Sequence, residues 1–341
     1  MRAMVLRSTG SLDENPSPLE AVDWPDPIPK QGEILIRVRV CGVCHTELDE
    51  IEGRTPPSVL PVILGHQVVG HVEALGEGVT DLKLGNRVGV AWIFSACGVC
   101  PRCQRGEENL CTRFRATGRD ANGGYAERMT VASDFAYRIP NVFCDEEAAP
   151  LLCAGAIGYR SLRLTELVDG QTLGLTGFGG SGHLVLKLVK HRFPRSKIFV
   201  FARDESERAI ARELGATWAG NTRDAPPELM QAVIDTTPAW EPVVAALEHL
   251  EPGGRLVINA IRKEEKDKKT LLTLDYARHL WFEKEIKSVA NVTRDDVREF
   301  LREAAEIPIR PEVTTYPLEE ANRALNDLKS QAIRGAKVLM I

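Results

Sequence analysis

The sequence lacks the features that indicate a membrane-embedded or secreted protein. No apolar run among its 341 residues approaches the length of a transmembrane helix. The first ten residues, MRAMVLRSTG, contain neither a long apolar core nor a cleavage pattern typical of a signal peptide. We therefore expect a cytoplasmic protein that does not bind a membrane.

The chain also lacks a large excess of one charge, and it lacks repeats. Its formal net charge is −5, so nothing in the total charge indicates a nucleic-acid partner or an anionic membrane surface. We find no internal repeat and no low-complexity tract. A chain of this length is expected to form two domains.

Cysteine, by contrast, is plentiful, and eight cysteines without a signal peptide favour metal binding or catalysis over disulfides. Four of them follow the spacing C-x2-C-x2-C-x7-C, namely Cys97, Cys100, Cys103 and Cys111. Four thiolates this close can surround one tetrahedral Zn²⁺ and leave no open position, which is typical of a structural site. An iron–sulfur cluster also takes four cysteines, but we predict zinc.

A glycine-rich segment lies between two apolar strands, and a helix follows it directly. Residues 177–182 read GFGGSG and fit the pattern G-x-G-x-x-G. In that pattern the first glycine permits a tight turn, the second lets the backbone approach a pyrophosphate, and the third lets the helix pack closely. The helix N-terminus then offers N–H groups to the phosphates. The predicted cofactor-binding residues of this segment are Gly177, Gly179, Gly180, Ser181 and Gly182.

Two kinds of pattern divide the rest of the chain. Residues 1–40 look like β structure, with apolar and polar positions alternating from Ile34 to Val40, and residues 61–91 are β-rich with many glycines, which indicates a small β-rich domain. After residue 170, helices alternate with apolar strands, which is typical of a doubly wound parallel sheet. Residues 145–162 predict a helix around a central Pro150, residues 287–293 a strand, and the charged run at 262–269 a solvated loop.

Taken together, these motifs resemble the zinc-dependent alcohol dehydrogenases of the medium-chain dehydrogenase/reductase superfamily. The segments that carry the resemblance are CGVCHTELD, LGHQVVGHVEALGEG, CGVCPRCQRGEENLC, GGYAE, LLCAGAIGYRSL and GFGGSGH. The resemblance covers essentially the whole chain. It implies a Rossmann doubly wound parallel sheet inserted in a β-rich GroES-like catalytic domain. The implied boundaries are 1–154 with 294–341 for the catalytic domain, 95–113 for its structural-zinc lobe, and 155–293 for the Rossmann domain.

The resemblance also implies a second, catalytic zinc site, which residue spacing alone does not predict. The implied ligands are Cys44, His66 and Cys153, and this set leaves one position for an exchangeable ligand. Glu47 matches a carboxylate that supports the zinc-ligand histidine. Gln67 replaces a glutamate that many members have beside that histidine, so the charge near the metal is expected to differ.

The implied reaction is hydride transfer between an alcohol and a nicotinamide cofactor, or the reverse reduction of an aldehyde or ketone. Thr46 matches the hydroxyl residue that bonds the substrate oxygen. Asp49 stands where many members have a histidine at the outer end of a proton relay. His45 matches a position near the cofactor pyrophosphate. The substrate pocket is predicted to be largely apolar and to include Trp92, Phe94 and Ile157.

The residues after the second Rossmann strand bear on the choice of cofactor. NAD-specific folds place an acidic residue at the end of that strand to hold the ribose hydroxyls. Counting back from the Leu214-Gly215-Ala216 landmark of many relatives puts Ala202 at that position, followed by Arg203, which can contact a 2′-phosphate. We therefore predict NADP rather than NAD. The alternative is that Asp204 reaches the ribose and the enzyme uses NAD.

Two other functions stay open at this stage. One is a catalytically silent zinc-binding or structural protein of the same fold. The other is a quinone or enoyl reductase of the superfamily, although those enzymes typically lack the zinc ligands. The complete ligand sets favour an alcohol dehydrogenase with two zinc ions per chain, one catalytic and one structural. We expect a homodimer or a homotetramer.

Overall fold

The computed structural model describes residues 1–307, 309–330 and 335–341. The chain divides into two units. The first unit combines Met1–Ala156 with Asn291–Ile341, and the second is Ile157–Ala290. Within the described ranges, none of the helices combines the length and the apolar character needed to cross a membrane.

The first unit begins with a long stretch rich in short strands. Its strands are β1 (Arg2–Leu6), β2 (Leu19–Asp23), β3 (Glu33–Val43), β4 (Val62–Ile63), β5 (Gln67–Leu75), β6 (Arg87–Val90), β7 (Ile93–Ser95), β8 (Arg115–Ala116), β9 (Arg128–Ala132) and β10 (Ala136–Arg138). The helices of this stretch are α1 (His45–Ile51), α2 (Pro101–Gln104) and α3 (Asp145–Pro150). β3 is the longest strand, and its alternating Ile34, Ile36, Val38 and Val40 are buried. Complete burial of each such side chain contributes about 1.5–3 kcal/mol.

The second unit is a six-stranded sheet in which every neighbouring pair is parallel. Its helices are α4 (Ala156–Thr165), α5 (Gly180–Arg192), α6 (Glu205–Glu213) and α7 (Glu241–Glu248). Its strands are β11 (Thr172–Thr176), β12 (Lys197–Phe201), β13 (Trp218–Gly220), β14 (Met230–Asp235), β15 (Leu250–Ile258) and β16 (Glu285–Ser288). The spatial order is β13-β12-β11-β14-β15-β16, which is the Rossmann order. The predicted doubly wound fold is therefore confirmed.

The C-terminal segment returns to the first unit. Its elements are α8 (Arg294–Glu306), β17 (Val313–Pro317), α9 (Ala321–Ser330) and β18 (Ala336–Met340). β18 pairs with the central strand β3, so both chain ends contribute to one sheet of order β10-β6-β5-β3-β18-β17, with β9 also paired to β3. The β-rich character predicted for the N-terminal part of the chain is confirmed by strands β1 to β6.

The helix predicted around Pro150 is interrupted. α3 ends at Pro150, a π-helical turn follows over Leu151–Gly155, and α4 then begins. Proline lacks the N–H that would continue the ladder, and its ring crowds the preceding turn, so a break here has a local cause. Cys153 lies within the π-helical turn, a type of distortion that is frequent at functional sites.

Two further sequence predictions need correction. The strand predicted at 287–293 is β16, which lies earlier in the chain, at Glu285–Ser288. The charged run at 262–269 is not uniformly solvated, because the Lys263 side chain is only 8% exposed and contacts the buried Asp235 carboxylate. A run of charges carries no local signal that one member has a buried partner distant in sequence.

Candidate active site

Three potential metal ligands converge in the first unit although they are far apart in sequence. Cys44 Sγ lies 3.6 Å from His66 Nε2, which in turn lies 3.3 Å from Cys153 Sγ. Their three donor atoms lie within 4.8 Å of one another. The cause is strand register: Gly42 of β3 pairs with Gln67 of the antiparallel β5, so the residues just beyond these two positions meet.

The Glu47 carboxylate contacts two of the three ligand residues, His66 and Cys44. Its Oε1 lies 2.6 Å from His66 Nδ1, and its Oε2 accepts a hydrogen bond from the Cys44 backbone N–H at 2.8 Å. Both Glu47 and His66 are almost completely buried. A proton held on Nδ1 by the carboxylate leaves Nε2 free to bind a metal, and it fixes the orientation of the ring.

The chemistry of this cluster fits a divalent metal such as zinc. The hydrogen bond with the Cys153 thiol and burial raise the pKa of the Cys44 thiol well above its usual range, so a cation is needed to hold a thiolate there. Ligands bound at about 2.0–2.3 Å to one tetrahedral ion lie roughly 3.6 Å apart, as these donors do. Three protein ligands leave a fourth position for an exchangeable group, which is typical of a catalytic site.

The four-cysteine lobe has a different, local geometry. The four cysteine sulfurs lie close together. The Sγ to Sγ distance is 3.8 Å from Cys97 to Cys103, 3.6 Å from Cys100 to Cys103, and 3.9 Å from Cys100 to Cys111. Four sulfurs at about 2.3 Å from one tetrahedral ion lie roughly 3.8 Å apart. The lobe therefore fits a closed metal site.

Two thiols of this lobe differ in their protonation. The Val99 backbone N–H, with further help from Arg113, lowers the pKa of Cys97 to about 5. Burial raises the pKa of Cys103 to about 12. The lobe therefore combines a thiol that ionises readily with one whose ionisation a bound cation would favour.

Three further predicted residues, His45, Thr46 and Asp49, lie on α1, the helix that Cys44 caps. Thr46 is the second residue of α1, and its backbone nitrogen donates a hydrogen bond to the Cys44 thiol at 3.4 Å. His45, at the start of α1, is exposed, and Asp49 is buried. The Asp49 carboxylate accepts from Arg54 Nε at 2.5 Å. Sequence reasoning missed this ion pair, since a surface arginine five residues away carries no distinguishing signal.

Gln67 lies inside the sheet rather than at its surface. It is 3% exposed, and its side chain covers Gly42, where any Cβ would lie within 3 Å of the amide. Its Nε2 has no hydrogen-bond partner among the residues that the structure describes. A glycine opposite Gln67 is therefore required by close packing.

Aromatic residues and an unpredicted carboxylate complete the surroundings. The Trp92 ring lies 6.5 Å from the His66 ring, and the Arg119 guanidinium stacks on Trp92 at 5.3 Å. Phe94 is largely buried, with Arg115 over its ring. Glu50 is fully buried, and burial together with the Glu47 charge raises the pKa of its carboxyl well above the usual range. Sequence reasoning missed Glu50, because an acid within an acidic stretch carries no signal of burial.

The glycine segment of the second unit has the geometry of a dinucleotide turn. Gly177 has a φ of +77°, which favours glycine, and Gly179 caps the N-terminus of α5. A Cβ on Gly179 would meet nothing within 4 Å, so a ligand can approach the backbone there. A Cβ on Gly182 would lie 3.2 Å from the Gly177 carbonyl oxygen, which reflects close helix packing. Gly180 and Ser181 form the first turn of α5.

Ala202 follows the last residue of β12 beside this turn. The Gly177 N–H donates to the Phe201 carbonyl at 2.8 Å, so the end of β12 lies next to the glycine segment. Ala202 is 2% exposed. Arg203 is exposed. Ile157 also lies in this unit, where its carbonyl accepts from Ser161 Oγ at 2.7 Å.

Comparisons with known proteins agree with this architecture. Residues 30–141 match the family described as "Alcohol dehydrogenase GroES-like domain". The chain is 43% identical to "Probable alcohol dehydrogenase AdhA" of Mycobacterium tuberculosis, over 100% of this chain and 97% of that protein. This chain belongs to the zinc-type medium-chain alcohol dehydrogenases.

Two further relatives of this alcohol dehydrogenase extend the comparison. The alcohol dehydrogenase of Geobacillus stearothermophilus is 34% identical over 97% of this chain and 98% of its own length. A solved structure of an NAD-dependent alcohol dehydrogenase covers 100% of both chains at 25% identity, with a TM-score of 0.87. The predicted family and fold are confirmed, and the chain is an oxidoreductase.

Within the first unit, the structure thus brings the three predicted ligands together with Glu47, and it brings the four cysteines together in their lobe. Within the second unit, the glycine segment forms the predicted turn. Trp92 and Phe94 belong to the first unit and Ile157 to the second. The grouping of these three as one substrate pocket stays a prediction, as does the placement of His45 near a pyrophosphate.

Proposed function

We propose that this alcohol dehydrogenase uses zinc held by Cys44, His66 and Cys153 to transfer a hydride between an alcohol and a nicotinamide cofactor. The observation that carries the proposal is the convergence of two thiols on His66 Nε2 at 3.3 and 3.6 Å. Zinc at this set supplies Lewis acidity, which lowers the pKa of a bound alcohol. The nicotinamide supplies the hydride chemistry.

The protein residues around the cluster would orient the substrate and move its proton. Thr46 would bond the substrate oxygen through its hydroxyl. Asp49 lies three positions later on α1, and side chains spaced by three residues share a helix face. A proton passing from substrate to Thr46 can therefore continue towards Asp49, directly or through water. Glu47 would keep the His66 ring oriented throughout.

The four-cysteine lobe would hold a second zinc ion with no catalytic role. Four protein ligands leave no position for a substrate. Metal binding by such a lobe is coupled to its folding, because the ligands are brought together only in the folded state. A preparation with two zinc ions per chain is the expected stoichiometry, and one ion would favour the catalytically silent alternative.

The proposed cofactor is NADP. Ala202 places no carboxylate at the end of β12, so a 2′-phosphate would meet no repulsion there. The adjacent Arg203 is exposed, and a guanidinium suits phosphate. One structural relative is named as NAD-dependent, and NAD held by Asp204 is the competing assignment.

Activity assays test both parts of this proposal. The zinc-loaded enzyme is assayed with primary, secondary and aromatic alcohols and with each cofactor, and kcat/KM is compared. Higher kcat/KM with NADP, and a shift towards NAD in Ala202→Asp/Arg203→Ile, are expected. A clear preference of the unmodified enzyme for NAD would return the role to Asp204. No turnover with any alcohol despite two bound zinc ions would favour the silent alternative.

The proposal includes association of identical chains, as a dimer or tetramer. β16 is the outer strand of the parallel sheet, and all four of its residues are exposed. Large apolar side chains near it in sequence are also exposed, among them Tyr276 at 64% and Phe282 at 60%. Exposed strand edges and apolar surface favour self-association. Analytical ultracentrifugation would distinguish a monomer from either oligomer.

A further inference from the structure

One lysine of the charged run enters the interior of the second unit. Lys263 Nζ contacts the Asp235 carboxylate, and the two side chains are 8% and 0% exposed. The same ammonium donates to the carbonyls of Thr237 and Ala239 at 2.8 Å each. An ammonium has three donors, and here all three have acceptors.

The carboxylate of this ion pair is equally well satisfied. Asp235 is the last residue of β14, and its Oδ1 accepts from Thr176 Oγ1 at 2.6 Å and from Thr237 Oγ1 at 2.8 Å. Its Oδ2 faces Lys263. A buried pair in which donors and acceptors are matched is a rigid unit, and loss of one partner would leave the other charge buried and uncompensated.

The segment tied down by Lys263 forms the back of the glycine turn. A Cβ on Gly177 would lie 2.8 Å from Thr236 Oγ1 and 2.8 Å from Thr237 Cγ2. The backbone N–H and the hydroxyl of Thr236 also donate to the Thr176 carbonyl at 2.9 and 3.0 Å. Residues 236–239 are thus hydrogen-bonded both to Thr176, at the end of β11, and to Lys263.

We propose that Lys263 and Asp235 are positioning residues for the dinucleotide cofactor, because their ion pair holds residues 236–239 against Gly177. The inference rests on the proposed cofactor site at the glycine turn. A turn that is already supported binds a pyrophosphate without ordering its surroundings, whereas a loose segment must be ordered at the expense of affinity. A purely structural ion pair would change stability and leave the cofactor affinity of the folded protein unaltered.

The test compares variants of the zinc-loaded enzyme. Asp235→Asn/Lys263→Met removes both charges together and so avoids an uncompensated buried ion. Lys266→Met, which removes an exposed lysine of the same run, is the matched control. Dissociation constants for NADPH and NADH are measured by fluorescence titration, with thermal melting and with kcat at saturating cofactor.

The double variant is expected to melt near the wild-type temperature and to bind cofactor about tenfold more weakly, as when a few residues must be ordered on binding. Its kcat at saturating cofactor should change much less than its cofactor KM. The Lys266→Met control should match the wild type throughout. Unchanged cofactor affinity in the folded double variant would overturn the proposal.

Hydrogen exchange of the wild type provides an independent measurement should the double variant fail to fold. The amides of Thr236, Thr237 and Trp240, each of which donates a hydrogen bond, are expected to exchange slowly without cofactor. Exchange as fast as that of an exposed loop would overturn the proposal, because the segment would then not be held in place. If the wild type binds neither NADPH nor NADH, the proposed cofactor site itself is wrong. Failure of the cofactor site is therefore distinguishable from failure of the positioning role of Lys263 and Asp235.

Discussion

The two candidate metal sites of the first unit bring their ligands together in different ways. In the four-cysteine lobe the ligands span 97–111, and nearby backbone N–H groups donate to the thiols, as Cys100 N does to Cys97 Sγ at 3.3 Å. In the three-ligand cluster, His66 is 22 residues from Cys44 and 87 from Cys153. The first site is held by its own loop, whereas the second depends on strand register and on the π-helical turn.

This difference predicts different consequences of damage. A lobe that a bound metal shapes should lose its own structure first, because metal binding and local folding are coupled. The three-ligand cluster is instead positioned by the pairing of β3 with β5 and supported by the buried Glu47. Removing a ligand there should abolish chemistry and leave the fold intact. The variants below are ordered from the largest expected effect to the smallest, counting loss of activity and loss of stability together.

Replacing the central ligand should have the largest effect. His66→Ala removes the imidazole between the two thiols, and with it several kcal/mol of transition-state stabilisation, so kcat should fall by roughly 10³-fold or more. Cofactor binding and zinc in the four-cysteine lobe should persist. Steady-state kinetics, cofactor titration and metal analysis test this expectation, and full activity of the purified variant would contradict it.

Altering the support of that ligand should have an intermediate effect. Glu47→Gln keeps the size of the side chain but removes the charge 2.6 Å from His66 Nδ1. Metal affinity or activity should fall about 10–100-fold, as for other residues that orient metal ligands. Competition with a chelator measures the affinity. Metal retention and kcat equal to those of the wild type would show that the carboxylate does not support the ligand.

Removing one ligand from the four-cysteine lobe should lower the stability of the protein more than its turnover. Cys103→Ser removes one ligand of the local site, so one zinc ion per chain should be lost and the melting temperature should fall, by roughly 2–4 °C for each kcal/mol. Activity per folded molecule should remain close to that of the wild type. Loss of turnover with both zinc ions and the melting temperature retained would mean that the lobe is not structural.

The smallest effect is expected at the end of the proposed proton path. Asp49→Ala should change the shape of the pH–rate profile and reduce kcat by less than about tenfold, because water can replace one proton carrier. Both zinc ions should remain. Arg54→Met, which keeps the carboxylate and removes its ion-pair partner, separates proton transfer from loss of the salt bridge. An unchanged profile in Asp49→Ala would mean that the proton leaves by another route.

Local patterns in the sequence determined much of this protein. The spacing of Cys97, Cys100, Cys103 and Cys111 predicted a cluster, because ligands within one loop cannot lie far apart. The GFGGSG segment between apolar strands predicted the turn, since its glycines are required by backbone geometry that the structure has at Gly177. Alternating strands and helices predicted the parallel sheet.

Only the tertiary structure decided which distant residues meet. The pairing of Gly42 with Gln67 brings Cys44 to His66, and sequence spacing alone contains no information about register between strands that are far apart in the chain. The burial of Glu50 and the pairing of Lys263 with Asp235 are likewise products of packing. Charged residues are usually solvated, so a sequence predicts their exposure, and only a partner supplied by the fold makes their burial possible.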